Sequence, residues 1–338
     1  MEAVYEKAFD NWTIKEKIHE DATGILYKMT TLADNGKHME SMMKVIPIPV
    51  NREEYQEAKK GRSKEQVVSY YKGIIEKMTT ELVNIAKAPD HSNIVRYEDC
   101  KVIPRVDKFG WYICVRMENL LLYDEWIANK ELSEKQILQM GVELANALDN
   151  CKKLNVVHRD VCPSNLYVTR GGVLKLGGFG IPKDADRIAA GIDVPDPGPY
   201  MAPEIVQGNF CDISSDIYSA GVLLYSLCNG GVMPGTPLEA PAYVSEPFAD
   251  IILKTLSPNP RERHQSASGL KYDLMDLQKE ITGDDKVYTK EHIEEAQQRQ
   301  QKELETAARK KGGVNMFKDM AARSAHTDFM SSLKKKFR

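Results

Sequence analysis

The chain has 338 residues, 42% of them hydrophobic and 28% charged, with a net charge of -3. That is enough apolar mass for one large or two smaller folded domains and excludes global disorder. The near-neutral balance excludes general nucleic-acid binding by the whole surface. Six cysteines, at 100, 114, 151, 162, 211 and 228, form no C-x-x-C pair. Neither a zinc site nor a disulfide framework is indicated, and a reducing cytoplasm is the expected location. Residues 1–12 are polar and lack the apolar run of a secretory signal, and the most apolar segment, 220–227, is far too short to span a bilayer.

In chain order, residues 12–18 alternate apolar and polar and predict a half-buried strand, followed by a turn over 19–24 and a second strand over 25–29. A third apolar run, 41–46, is interrupted by Lys44. A lysine there must be paired or near a rim, or must snorkel from an edge strand. Pro47 and Pro49 are expected to end that strand. From Ser63 onward Val67, Val68, Tyr71, Ile74, Ile75, Met78, Leu82 and Ile85 recur every three or four residues, the apolar face of one long helix that also carries Glu76 and Glu81. Residues 111–118 read as a strand ending in Met117-Glu118. Helices follow over 123–129 and 133–154, the second opened by Ser133 and Gln136 at capping-box spacing. Next, Val156-Val157 leads into a polar turn and Leu166-Tyr167-Val168 leaves it, so a tight loop displays Arg159, Asp160 and, five residues after Asp160, Asn165. A strand over 173–176 ends in Gly177-Gly178-Phe179-Gly180. Residues 288–311 are rich in helix formers but carry a thin apolar stripe, too thin for a coiled coil. Residues 314–338 mix basic, Met and Phe side chains: a solvated tail, a helix packed on the body of the protein, or a segment that docks on a partner or an anionic membrane.

The loop His158-Arg159-Asp160-x-x-x-x-Asn165 resembles in full the catalytic loop of protein kinases, in which the Asp accepts the substrate hydroxyl proton and the Asn holds magnesium. Its neighbours extend the resemblance from residue 12 to about 277. The first hairpin resembles the glycine-rich loop, Met43-Lys44 the third-strand V-A-I-K motif, and the long helix resembles helix C. Glu81 is then the expected partner of Lys44, with Glu76 as the alternative. His91-Ser92-Asn93-Ile94-Val95 resembles the turn after helix C. Met117 stands as gatekeeper, and Glu118 to Leu120 as the hinge whose backbone bonds adenine. Around ATP the resemblance places Ile18, Gly24 and Leu26 from the hairpin, Met42 and Lys44 from the third strand, and Tyr167 from the floor. Tyr200-Met201-Ala202-Pro203-Glu204, Asp216 to Gly221 and Arg263 match structural motifs of the large lobe, with Arg263 pairing Glu204 and Asp216 bracing the catalytic loop. The implied fold is α+β and bilobal: an extension over 1–11, a small β-rich lobe over 12–117, a mainly helical lobe over 118–282 and a charged tail over 283–338.

Several positions depart from the family pattern. Of the three loop glycines only Gly24 is present, and His19 and Asp21 take the other two places, which sets negative charge where a triphosphate lies. Gly178 stands where the family has the Asp that grips magnesium, leaving Asn165 as a neutral, weaker metal ligand, with Asp184 and Asp186 as candidate substitutes. Met42 replaces an alanine over the adenine ring, Cys162 replaces a lysine, and Pro197 replaces a threonine. Residues 181–199 contain no Ser, Thr or Tyr, so Arg159 can meet only fixed carboxylates such as Asp193 or Asp196. The expectation is therefore a kinase-like domain with weak or lost phosphoryl transfer, a pseudokinase acting in signalling or scaffolding on protein partners. ATP binding is weak, and Mg or Mn is required only if the chain is active. The alternative is an active serine/threonine kinase using Asp160, Asn165 and Lys44 with an unusual metal site.

Overall fold

A computed structural model describes residues 4–88, 92–128, 130–181, 183–189, 194, 197–235, 238–241, 243–281, 298 and 302. The charged tail apart from residues 298 and 302, and His91, Asp193 and Asp196, lie outside the described residues. The chain divides into two compact units, Met1–Asn129 with Glu143–Asp186, and Lys130–Val142 with Arg187–Arg338.

The first unit opens with strands β1 (Thr13–Asp21), β2 (Gly24–Leu32) and β3 (His38–Ile48), then helices α1 (Arg52–Lys59) and α2 (Lys64–Ala86), then β4 (Tyr97–Pro104) and β5 (Trp111–Glu118). The five strands form one antiparallel sheet in the order β1-β2-β3-β5-β4. Successive side chains of a strand face opposite ways, so β3 serves two clusters. Met43 and Val45 join Met29 and Cys114 under the N-terminal segment, where Ala8 and Phe9 are buried and Tyr5 packs between Tyr27 and Tyr112. Met42, Lys44 and Ile46 face the other way.

Two details differ from the sequence expectation. β3 continues through Pro47 to Ile48, because beyond Val45 it pairs only with β5 and no longer with β2. A proline is tolerated where one side of a strand has no ladder to donate to. Helix α1 was not expected. Asn51 starts it by accepting a hydrogen bond from Glu54 N at 2.8 Å. α2 begins at the expected place, with Ser63 and Gln66 closing a capping box.

The rest of the unit holds β6 (Leu121–Leu122), α3 (Tyr123–Ile127), most of α4 (Glu134–Lys153), β7 (Leu166–Val168) and β8 (Leu174–Leu176), and the start of α5 (Asp184–Ala189). β6, β7 and β8 form a small antiparallel sheet, and the segment 93–95 bonds β8 through Val95 N to Leu176 O and Leu176 N to Asn93 O. The capping box of Ser133 and Gln136 at the start of α4 is formed.

The second unit adds α6 (Pro203–Val206), α7 (Ile213–Cys228), α8 (Glu246–Thr255) and α9 (Ala267–Glu280). α7 is buried along most of its length, with Ser214, Ser215, Asp216, Ser219 and Ser226 buried beside its apolar residues. Arg263 and Glu204 form the expected buried pair, with Arg263 Nη1 and Nη2 at 2.7 and 2.8 Å from the two carboxylate oxygens. Asp216 is buried in α7. A β-rich N-terminal region followed by a helical C-terminal region is the α+β, bilobal class expected from the sequence.

Candidate active site

The sheet register decides what faces the candidate site. Lys44 on β3 stands opposite Leu26 on β2 and Val115 on β5, and Met42 stands opposite Met117. Directly paired residues of an antiparallel ladder share a face, so these side chains converge with Lys44. The β1–β2 hairpin closes by Asp21 pairing with Gly24. Gly24 has φ +147°, and a Cβ there would lie 3.1 Å from Val45 C and closer still to its oxygen. Glycine is required by that close approach to β3.

Asp21 occupies the centre of the hairpin. Its Oδ1 accepts hydrogen bonds from Thr23 N at 2.8 Å, Thr23 Oγ1 at 2.6 Å and Gly24 N at 3.0 Å, and its Oδ2 accepts from Lys44 Nζ at 2.8 Å. Burial by itself would raise the Asp21 carboxyl. The Lys44 charge and the Lys44 and Thr23 hydrogen bonds outweigh it and hold the carboxyl below its usual range.

The expected pairing of Lys44 with Glu81 is thereby corrected. Glu81 Oε2 accepts from Arg159 Nη2 at 2.8 Å, and Glu81 Oε1 accepts from Gly180 N at 3.0 Å and Lys183 Nζ at 3.1 Å. The physical reason is competition. Asp21 satisfies Lys44 locally, whereas the fully buried Lys183 ammonium must be neutralised, and it takes Glu81 together with His158 O at 2.6 Å. Arg159 also bonds Asp186. Arg159 thus meets the carboxylates of Glu81 and Asp186.

In the catalytic-like loop the structure brings Asp160 and Asn165 together. Asn165 Nδ2 donates to Asp160 O at 2.8 Å and to Asp160 Oδ2 at 2.7 Å. Burial pushes the Asp160 carboxyl up, opposed by the Lys183 charge and the Asn165 hydrogen bond. His158 is buried and held neutral by desolvation, with the Lys183 charge acting in the same direction. Its Nε2 donates to Gly177 O at 2.6 Å and its Nδ1 accepts from Asp160 N at 3.3 Å, which fixes the tautomer. Phe179 packs edge-on against His158 and Tyr97, and its N–H donates to Tyr97 Oη. Gly178 adopts φ +76°, and a Cβ there would lie 2.9 Å from Asn165 Cβ and closer to its amide. The Asn165 side chain thus fills the space an aspartate at 178 would use.

On the adenine side, Leu26, Met42, Met117, Leu120 and Tyr167 are buried against one another and Val95, with Ile18 packed on the cluster. The expected lining residues are assembled, but they fill their own slot. At the hinge, Glu118 N donates to Arg96 O, and the Glu118 carboxylate accepts from Arg96 N and Lys175 Nζ, each at 2.7 Å. Asp21, Lys44, Met117, Asn165, Tyr167 and Gly178 line a small, partly open cavity of about 30 Å³.

These residues do not fit a magnesium–triphosphate complex. A hard dication needs several charged or carbonyl oxygens. Asn165 offers only a neutral amide oxygen, its Nδ2 donating to Asp160, Gly178 brings no carboxylate, and Asp186 is bound by Arg159. Among the described residues no group of three His, Cys, Asp or Glu is placed to hold an ion. Sequence reasoning missed Lys183, a lone lysine in no pattern, and Thr23, which only the hairpin geometry singles out.

The protein kinase domain matches residues 44–236, more than half of the chain. The chain is 27% identical over 238 residues to the "Probable serine/threonine-protein kinase CPE1738" of Clostridium perfringens, covering 65% of this chain and 33% of that protein. It is 25% identical over 208 residues to the serine/threonine-protein kinase PrkC of Bacillus subtilis, covering 56% of this chain and 32% of that protein. It is 29% identical over 183 residues to the serine/threonine-protein kinase CHK1 of Saccharomyces cerevisiae, covering 52% and 33%. The aligned parts thus span about a third of these relatives' lengths. No helix among the described residues is long and apolar enough to cross a membrane. With a catalytic-type loop behind a five-stranded sheet, and with a protein kinase domain matched over more than half of its length, the chain belongs to the protein kinase family.

Proposed function

We propose that the chain is a pseudokinase, a kinase-shaped signalling or scaffolding module that engages protein partners and transfers phosphate weakly or not at all. Its lobes are the segments 12–117 and 118–282. The observation that carries this reading is the pair Gly178 and Asn165: the position of the metal-gripping carboxylate is a glycine, and the amide oxygen of Asn165 that faces it is neutral. Phosphoryl transfer is mostly positioning and neutralisation of charge. Removing one preorganised electrostatic group costs ~2.7–4 kcal/mol of transition-state stabilisation, so loss of the chief metal ligand falls on the step that matters most. ATP remains a ligand of low affinity in this reading, and Asp160, Lys44, Glu81 and Asn165 keep structural rather than catalytic duties.

A second reading, an active serine/threonine kinase with an unusual metal site, draws on Asp184, whose charge bears on Asp160. Two measurements on the full chain separate the two: melting temperature with ATP in the presence and absence of Mg or Mn, and incorporation of labelled phosphate. The pseudokinase reading expects no metal-dependent stabilisation and no incorporation. Incorporation that Asp160→Asn abolishes sinks it.

A further inference from the structure

The donors around Asp21 are of the kinds that bind phosphate. Two backbone N–H groups at a tight turn and one lysine ammonium converge on a single anion, and that anion is the chain's own carboxylate, with both oxygens used. The Lys44 and Asp21 side chains are 13% and 29% exposed, so the pair is largely withdrawn from water. An intramolecular anion competes at a high effective concentration against any ligand that arrives from solution. A phosphate entering here must displace Asp21 and then lie beside its charge.

We propose that Asp21 is a resident anion that sets the ligand class of this pocket: it stands in for nucleotide phosphate on Lys44, Thr23 and Gly24 and so excludes phosphate-bearing ligands. This deepens the pseudokinase reading and rests on it. It adds that exclusion is enforced by one side chain and does not depend on metal. Neutralising Asp21 uncovers an anion site whose anchor is Lys44.

The test uses the full chain in EDTA, with ATP, tripolyphosphate and adenosine as separate probes, followed by melting temperature and by titration calorimetry. Wild type is expected to bind ATP and tripolyphosphate only weakly. Asp21→Asn keeps an acceptor for Thr23 and Gly24 but no charge, and is expected to bind both phosphate probes at least ~10-fold more tightly than wild type, a difference of 1.4 kcal/mol. Adding Lys44→Met is expected to erase the gain, and adenosine is expected to distinguish none of the variants. Asp21→Ser serves the same purpose if the carboxamide disturbs the turn. Equal affinity of wild type and the Asp21 variants for phosphate probes overturns the proposal, including the case in which none binds, since the apolar cluster alone would then close the pocket. A gain that survives Lys44→Met also overturns it. Phosphate transfer by wild type in magnesium is a separate result, and it sinks the pseudokinase reading instead.

Discussion

The Lys44 ammonium lies 2.8 Å from an Asp21 carboxylate oxygen, while Glu81 accepts hydrogen bonds from Arg159, Lys183 and Gly180 N. The lysine of the sheet and the glutamate of α2 belong to separate networks. One consequence is energetic independence. Residues without a shared partner give nearly additive stability changes, within ~0.3–0.5 kcal/mol, whereas bonded pairs couple by ~0.5–3 kcal/mol. A double-mutant cycle on Lys44→Met and Glu81→Gln is expected to show additivity within that margin. The cycle on Lys183→Met and Glu81→Gln is expected to show coupling. Strong coupling in the first cycle, read from chemical denaturation, contradicts the two-network description.

Glu81 is also expected to matter more for stability than a helix-surface glutamate would. Its truncation leaves the fully buried Lys183 ammonium with one fewer neutralising partner. Breaking one side of a buried pair typically costs ~3–5 kcal/mol, whereas Glu76, expected from the sequence as its alternative, is exposed on α2. Glu81→Ala should lower the denaturation midpoint clearly and Glu76→Ala should leave it within ~0.5 kcal/mol. Equal effects of the two would show that Glu81 is not needed to neutralise Lys183.

Restoring the missing carboxylate is not expected to restore a metal site. At Gly178 the backbone has φ +76° and any Cβ crowds Asn165. A non-glycine residue in sparsely populated backbone space costs ~1–3 kcal/mol, to which the displacement of Asn165 from Asp160 is added. Gly178→Asp and Gly178→Ala should both lower the melting temperature, and neither should gain a magnesium-dependent ATP shift while Asp21 holds Lys44. An Asp variant as stable as wild type that melts higher with magnesium and ATP refutes this.

Much of the framework was legible before any coordinates. Alternation on 12–18 and the helical spacing from Val67 to Ile85 report burial directly, and Ser63 with Gln66 is capped as the strong start of α2 implies. His158, Asp160 and Asn165 lie in one loop, so their proximity follows from spacing. What the sequence hid were choices between long-range partners. The expected partners of Lys44 were Glu81 and Glu76 on α2, and local spacing gave no reason to set Asp21 of the hairpin, 23 residues away, above them. The burial of Lys183, which recruits Glu81, has no periodic signature. α1 was obscured by Pro47 and Pro49, although Asn51 and the acidic pair Glu53-Glu54 carry the signal of a helix start. The N-terminal cover of Tyr5, Ala8 and Phe9 is too short to show a period at all.

The pair Glu204 and Arg263 gives a prediction with a defined pH sign. Burial tends to raise the Glu204 carboxyl, but the Arg263 hydrogen bonds, its own backbone N–H and Ser215 Oγ hold it below the usual range. A carboxylate whose folded value is depressed contributes stability that is fully present above its unfolded value, ~4.3, and that is lost as pH falls through the lower folded value. Glu204→Gln leaves Arg263 buried without its counter-charge, which should cost ~3–5 kcal/mol near neutral pH. The gap between wild type and Glu204→Gln should therefore be widest above pH ~5 and narrow steadily below pH ~4 as wild type loses the charge that the variant already lacks. Urea denaturation of both proteins across that range measures the gap. One that stays constant down to acid pH would show that Glu204 acts through packing and hydrogen bonds alone, and its charge would then have no part in holding Arg263.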